Sequence, residues 1–169
     1  YTCAQYHWHF ERNPIWIERA RAASERASAI GKDAPEIQMA QAWILYAEGS
    51  YEDAAARLRS VIARRPDTEG AYYLLGRALF AAGRYQEVAD MADVAATASG
   101  EDYNVYVPIT NALGALGKLD MLQHFRQRHV QVLEAHLKKI PEDARGRTLL
   151  AGGYSVLGRP DDALREANL

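Results

Sequence analysis

Cysteine is nearly absent: Cys3 is the only one in 169 residues. A lone cysteine excludes an internal disulfide and any zinc site built on thiolates. This fits a reducing compartment, so the cytoplasm is the expected location, with the periplasm left open. Long apolar runs are missing too. The longest are a few residues, far short of the ~20 needed for a membrane-spanning helix. Neither sign of charge dominates, since 20 Lys and Arg face 22 Asp and Glu for a net charge of -2. No global basic surface therefore points to nucleic acid or an anionic membrane. Signatures of catalysis are equally scarce: no Gly-rich phosphate loop, H-E-x-x-H, G-x-S-x-G or Cys–His arrangement occurs. No enzyme and no cofactor are expected. There is no initiator methionine and no signal-peptide pattern, and the chain stops at ANL within what reads as a helix, so the expectation is a piece of something longer.

The chain does contain a ruler. Gly49, Gly83 and Gly117 recur at 34-residue intervals, as do Tyr51 and Tyr85 in EGSYEDAAARL and AGRYQEVAD. A constant period of this size signals a stacked array. Pro14, Pro35 and Pro66 punctuate the stretches between, suited to helix starts or stops. Helical spacing of Ile17, Ala20, Ala23 or Ser24, Ala27 and Ile30 predicts a helix that starts at Asn13-Pro14 and ends at Gly31. Pro108 is expected to kink its helix or mark the true start. The interval from Gly117 to Gly158 is 41 residues rather than 34. The surplus is about two helical turns, which predicts one long helix projecting beyond its neighbours.

Two antiparallel helices per 34 residues, with Tyr72, Leu75, Gly76, Leu79, Gly83, Tyr85 and Val88 in one unit and Gln41, Ala42, Leu45, Gly49, Tyr51, Ala54 and Pro66 in the one before, resemble the tetratricopeptide repeat pattern W-x2-L-G-x2-Y…G-x-Y-x-x-A. The resemblance implies an all-α, right-handed α-solenoid of about ten helices. A single array over 1–169 is expected, with units near 1–34, 35–68, 69–102, 103–143 and 144–169, the fourth with an extended second helix and the last truncated. Small residues at Ala42, Ala54 and Gly76 allow close helix approach. Tyr51 and Tyr85 are expected to fill gaps between successive units.

In that family the first helix of each unit lines a concave groove for a partner peptide. Carried onto this sequence, the groove comprises Met39, Trp43, Tyr46, Tyr73, Arg77, Phe80, Asn104, Val107 and Asn111. Aromatics and arginine suit binding hot spots, and paired amides suit a peptide backbone. The family's carboxylate-clamping positions hold Met39, Ala40, Trp43, Tyr73 and Leu74 here, with only Arg77 and Asn111 chemically suited, so a clamp is disfavoured. The expected function is a non-catalytic scaffold for a protein or peptide partner. The alternative is a regulatory or oligomerisation segment of a larger bacterial signalling enzyme, because HLKKIPEDARGRTLLAGGYSVLGRPDDALREANL is similar to arrays attached to serine/threonine kinases and nucleotide cyclases. Self-association through the last unit or the long helix is a third possibility.

Metal binding is not expected. His7 and His9 do not share a helical face, and His129 and His136 stand about 10 Å apart along an axis. Arg126, Arg128, Lys138 and Lys139 form a local basic strip that reads as a solvated helix face. The acidic pairs Glu52-Asp53, Glu101-Asp102, Glu142-Asp143 and Asp161-Asp162 suit helix N-termini.

Overall fold

A computed structural model describes residues 3, 4, 7, 11, 13–31 and 34–168, the side chain at 30 excepted. His9 lies outside the described residues. Ten α-helices follow: α1 Pro14–Gly31, α2 Pro35–Ala47, α3 Tyr51–Arg64, α4 Ala71–Ala81, α5 Tyr85–Asp90, α6 Ala92–Ala98, α7 Tyr106–Ala115, α8 Leu119–Lys139, α9 Ala144–Val156 and α10 Pro160–Ala167. No strand occurs among the described residues, and the helices pack chiefly on their sequence neighbours, except that α5 packs most extensively on α7. The architecture is a solenoid.

Helix boundaries fall where the local chemistry puts them. The Asn13 side chain accepts from the Ile15 N–H at 3.1 Å, capping α1. Turn glycines Gly49, Gly83, Gly117 and Gly158 all have positive φ, between 66° and 84°, a conformation that costs glycine little. Pro108 marks a start rather than a kink: a 3-10 turn, Tyr103–Val105, leads into α7, where Pro108 is the third residue. Its missing N–H belongs to the first turn, whose donors have no helical partner. The Pro108 ring also explains Gly76, because a Cβ there would lie 2.8 Å from Pro108 Cγ.

Two features depart from the sequence reading. The helix after Gly83 is divided at Met91, where ψ opens to -2° while hydrogen bonds on both sides, Met91 N–H to Glu87 O and Ala95 N–H to Met91 O, continue the ladder. Tyr51 and Tyr85 pack across the turn of their own unit, in tilted contact with Tyr46 and Phe80 at 5.5 and 4.9 Å between ring centroids.

The 21-residue α8 is the long helix that the surplus predicts. It bridges two cores. Leu122 and Phe125 close the large core built from α1 to α7, whereas Val130, Leu133 and Leu137 form a smaller one with Tyr103, Leu150 and Tyr154. Its basic strip is partly paired: Arg128 reaches Asp93 at 3.1 Å and Lys139 reaches Glu101 at 2.6 Å, tying α8 to the preceding unit.

Candidate functional site

The residues expected to line a groove form rows 34 apart, Met39 with Tyr73 and Val107, and Trp43 with Arg77 and Asn111. One helical face of α2, α4 and α7 presents them in register. Their exposure changes along the array. Met39, Trp43 and Tyr46 are 3%, 1% and 3% exposed, and Tyr73 is 8% exposed. Arg77, Phe80, Asn104 and Val107 are half-buried, and Asn111 is exposed. The α2 end of the row is therefore part of the core, in which Ala4 is also fully buried.

Aromatic edges organise that end. Trp43 meets Tyr46 edge-to-face at 5.9 Å and Tyr73 at 6.4 Å. Arg77 lies between two phenols. Its Nη1 donates to the Tyr73 hydroxyl at 2.7 Å, and Nε and Nη2 donate to the Tyr46 hydroxyl at 3.2 and 3.1 Å. The guanidinium carbon lies 5.3 and 5.5 Å from the two ring centroids, within cation–π range. Burial pushes the Tyr46 hydroxyl pKa up against the opposing influence of Arg77. The Tyr46 phenol therefore stays neutral, and the Tyr46 and Tyr73 hydroxyl oxygens both accept from a permanent cation. Farther along, the Asn104 amide donates to Asp102 and accepts from Arg145 Nε at 3.1 Å. Asn104 and Asn111 do not act as a matched pair: the first belongs to this polar link, the second faces solvent.

The family model for the tetratricopeptide repeat matches residues 17–67 and 39–103, together half of the chain. The chain belongs to the tetratricopeptide repeat family. No curated protein sequence matches it significantly. Among solved structures it is similar to TTC0263, a thermophilic tetratricopeptide repeat protein of Thermus thermophilus. That match has 19% identity and a TM-score of 0.65, covering 98% of this chain and 84% of the other. It is also similar to MamA, with 18% identity and a TM-score of 0.55 over 92% of this chain and 87% of that one. At such identities the likeness is one of fold. The fold is that of protein-interaction scaffolds, and among the described residues no helix is long and apolar enough to cross a membrane.

The histidines of the repeat array have structural partners. His136 Nε2 lies 2.8 Å from Asp143 Oδ2, which also accepts from the Tyr103 hydroxyl at 2.8 Å. The other carboxylate oxygen of Asp143 caps α9 through the Gly146 N–H at 3.0 Å. These contacts hold the Asp143 carboxyl below its ordinary range despite burial, while burial and Asp143 push Tyr103 up to about 12. His129 stacks on Tyr106 at 5.3 Å, with planes 10° apart. Burial lowers its pKa to about 4, so its ring is neutral near pH 7. Among the described residues no group of three or more His, Cys, Asp or Glu is placed to hold a metal ion.

A cavity of about 600 Å³ opens on the opposite face of α2, between α1, α2 and α3. Sequence reasoning overlooked its polar lining. The signal was available in the ruler, because Gln38, Gln41 and Arg57 precede Tyr72, Leu75 and Met91 by one repeat.

Proposed function

We propose that this chain is a non-catalytic scaffold that holds a partner peptide along the α4–α7 part of the inner row. Arg77, Phe80, Val107 and Asn111 are the contacts, Asn104 sits at the edge, and Met39, Trp43, Tyr46 and Tyr73 form the support beneath. The observation that carries this reading is the placement of Arg77: a half-buried cation fixed by three hydrogen bonds to two tyrosine hydroxyls, with the half-buried Phe80 and the exposed Asn111 on the same helical face. A fixed arginine next to an aromatic ring recognises acceptors at low entropic cost. The exposed Asn111 amide supplies a donor and an acceptor for peptide backbone.

The test is to replace Phe80 and Asn111 together by alanine and measure binding to a partner recovered by pull-down, with helicity as the folding control. Loss of binding with intact helicity is expected. Undiminished binding moves the site elsewhere. Self-association is a second reading, favoured by α10, which buries no residue and leaves Leu164 63% exposed beside a half-exposed Val156. Light scattering that shows a mass rising with concentration supports it; a strict monomer counts against it.

A further inference from the structure

The outer cavity differs from its counterparts in the next two repeats. Advancing by 34 residues, Ser24 becomes Leu58 and then Ala92; Ser28 becomes Ile62 and Ala96; Gln38 becomes Tyr72 and Tyr106; Gln41 becomes Leu75 and Ile109; Arg57 becomes Met91 and Phe125. Five polar side chains thus stand where the array elsewhere packs apolar ones. Leu58 and Ile109 are wholly buried at these positions. Packing alone favours the apolar set, because a half-buried guanidinium without a counter-charge carries a desolvation cost.

The polar set is linked but incomplete. Arg57 Nη1 donates to Gln38 Oε1 at 2.7 Å and to Gln41 Oε1, and the Gln41 amide donates to Ser28 Oγ at 3.2 Å. Two groups are left over. Arg57 Nε and Ser24 Oγ are buried and have no hydrogen-bond partner, and the Ser24 side chain is 7% exposed. None of the Arg57 bonds goes to a carboxylate, whereas Arg21 at the rim pairs with Glu48. Ala29, Ile44 and Leu45 supply an apolar wall. The cavity therefore offers a guanidinium bonded to no carboxylate, two unused polar hydrogens and an apolar wall, with Glu25 and the Arg21-paired Glu48 also in its lining.

We infer that this outer cavity is a binding site for a small carboxylate with an apolar body, whose head is held by Arg57 and Ser24 and whose tail lies on Ile44 and Leu45. A carboxylate satisfies both orphan donors and neutralises the guanidinium, giving the strong charge-assisted class of hydrogen bond. A neutral alcohol of the same shape leaves the charge unanswered. The site lies on the face of α2 opposite Met39, Trp43 and Tyr46, so it does not depend on the peptide reading of the inner row.

The test is a titration of the whole chain with octanoate and benzoate, with octanol and benzyl alcohol as neutral controls, followed by amide and arginine Nε–H NMR. Saturable shifts at Ser24, Gln41, Ile44 and the Arg57 Nε–H are expected for the acids and not for the alcohols. Arg57→Met, which installs the residue found one repeat later, should weaken binding by about tenfold or more while keeping the fold. Ser24→Ala removes only a hydroxyl and provides the same reading should the methionine variant misfold. A parallel arm uses a short peptide ending in leucine, with free or amidated terminus. Saturation only by the free-terminus peptide assigns the carboxylate to a chain end rather than a free acid. The proposal is overturned if no carboxylate gives saturable shifts, if acids and alcohols act alike, or if Arg57→Met and Ser24→Ala bind as the wild type does. A cavity that holds water only gives the first of these results.

Discussion

At the α2 end of the inner row Trp43 is 1% exposed and wedged against Tyr46 and Tyr73. Two repeats on, Asn111 occupies the same register on α7 and is exposed. Equivalent positions have thus separated into a buried and an exposed side chain, with the half-buried Arg77 between them. Register within a repeat fixes which way a side chain faces. Whether that face is open depends on what lies against it. Substitutions at the α2 end should therefore act on folding, and substitutions at the α7 end on binding.

The largest effect is expected from Trp43→Ala. Removing a fully buried indole should cost about 3–5 kcal/mol, measured by urea unfolding, with any loss of binding following the loss of fold. A cost under about 1 kcal/mol would mean that the closed end is not part of the core. Next is acid. The folded pKa of His129 is lowered to about 4 from 6.5, first by desolvation, with a backbone contact to Tyr103 opposing. A depressed histidine pKa means that the unfolded chain takes up the proton first. Stability is therefore full above about pH 6.5 and falls as pH drops towards 4, by roughly 3 kcal/mol at most. Because His129 stacks on Tyr106 at the start of α7, amide exchange should accelerate in α7 before α2, and His129→Phe should flatten the pH profile. An unchanged profile in that variant would assign the acid response to other groups.

Asp143→Ala should cost about 1–3 kcal/mol, since it removes the α9 cap and strands the Tyr103 hydroxyl. The loss should be confined to α8–α10 in hydrogen exchange, sparing the inner row. The smallest effect on stability is at Asn111→Ala, within about 0.5 kcal/mol, yet this change should weaken partner binding. Equal insensitivity of folding and binding there would break the division between the two ends.

Much of this was legible beforehand. The positive-φ glycines Gly49, Gly83 and Gly117 and the long α8 follow directly from the 34-residue ruler, because turn residues are constrained by backbone conformation. The shared register of Trp43, Arg77 and Asn111 comes from the resemblance to the tetratricopeptide repeat, carried along the 34-residue ruler. The burial of Met39, Trp43 and Tyr46 did not follow, because periodicity gives direction and not cover. The break at Met91 was equally hidden: no Gly or Pro stands there, and the change is a shift in one ψ angle. The outer polar set could have been found by comparing Gln41 with Leu75 and Arg57 with Met91. Read singly, each polar residue looks like ordinary helix surface.

The most direct test of the account is site-specific photocrosslinking, with a benzophenone side chain placed at Asn111 or, as an exposed control on the outer surface, at Val94, which is 59% exposed. The account predicts that a bound partner crosslinks from position 111 and not from position 94. Crosslinking from 94 alone, or equally from both, would contradict recognition along the open end of the inner row.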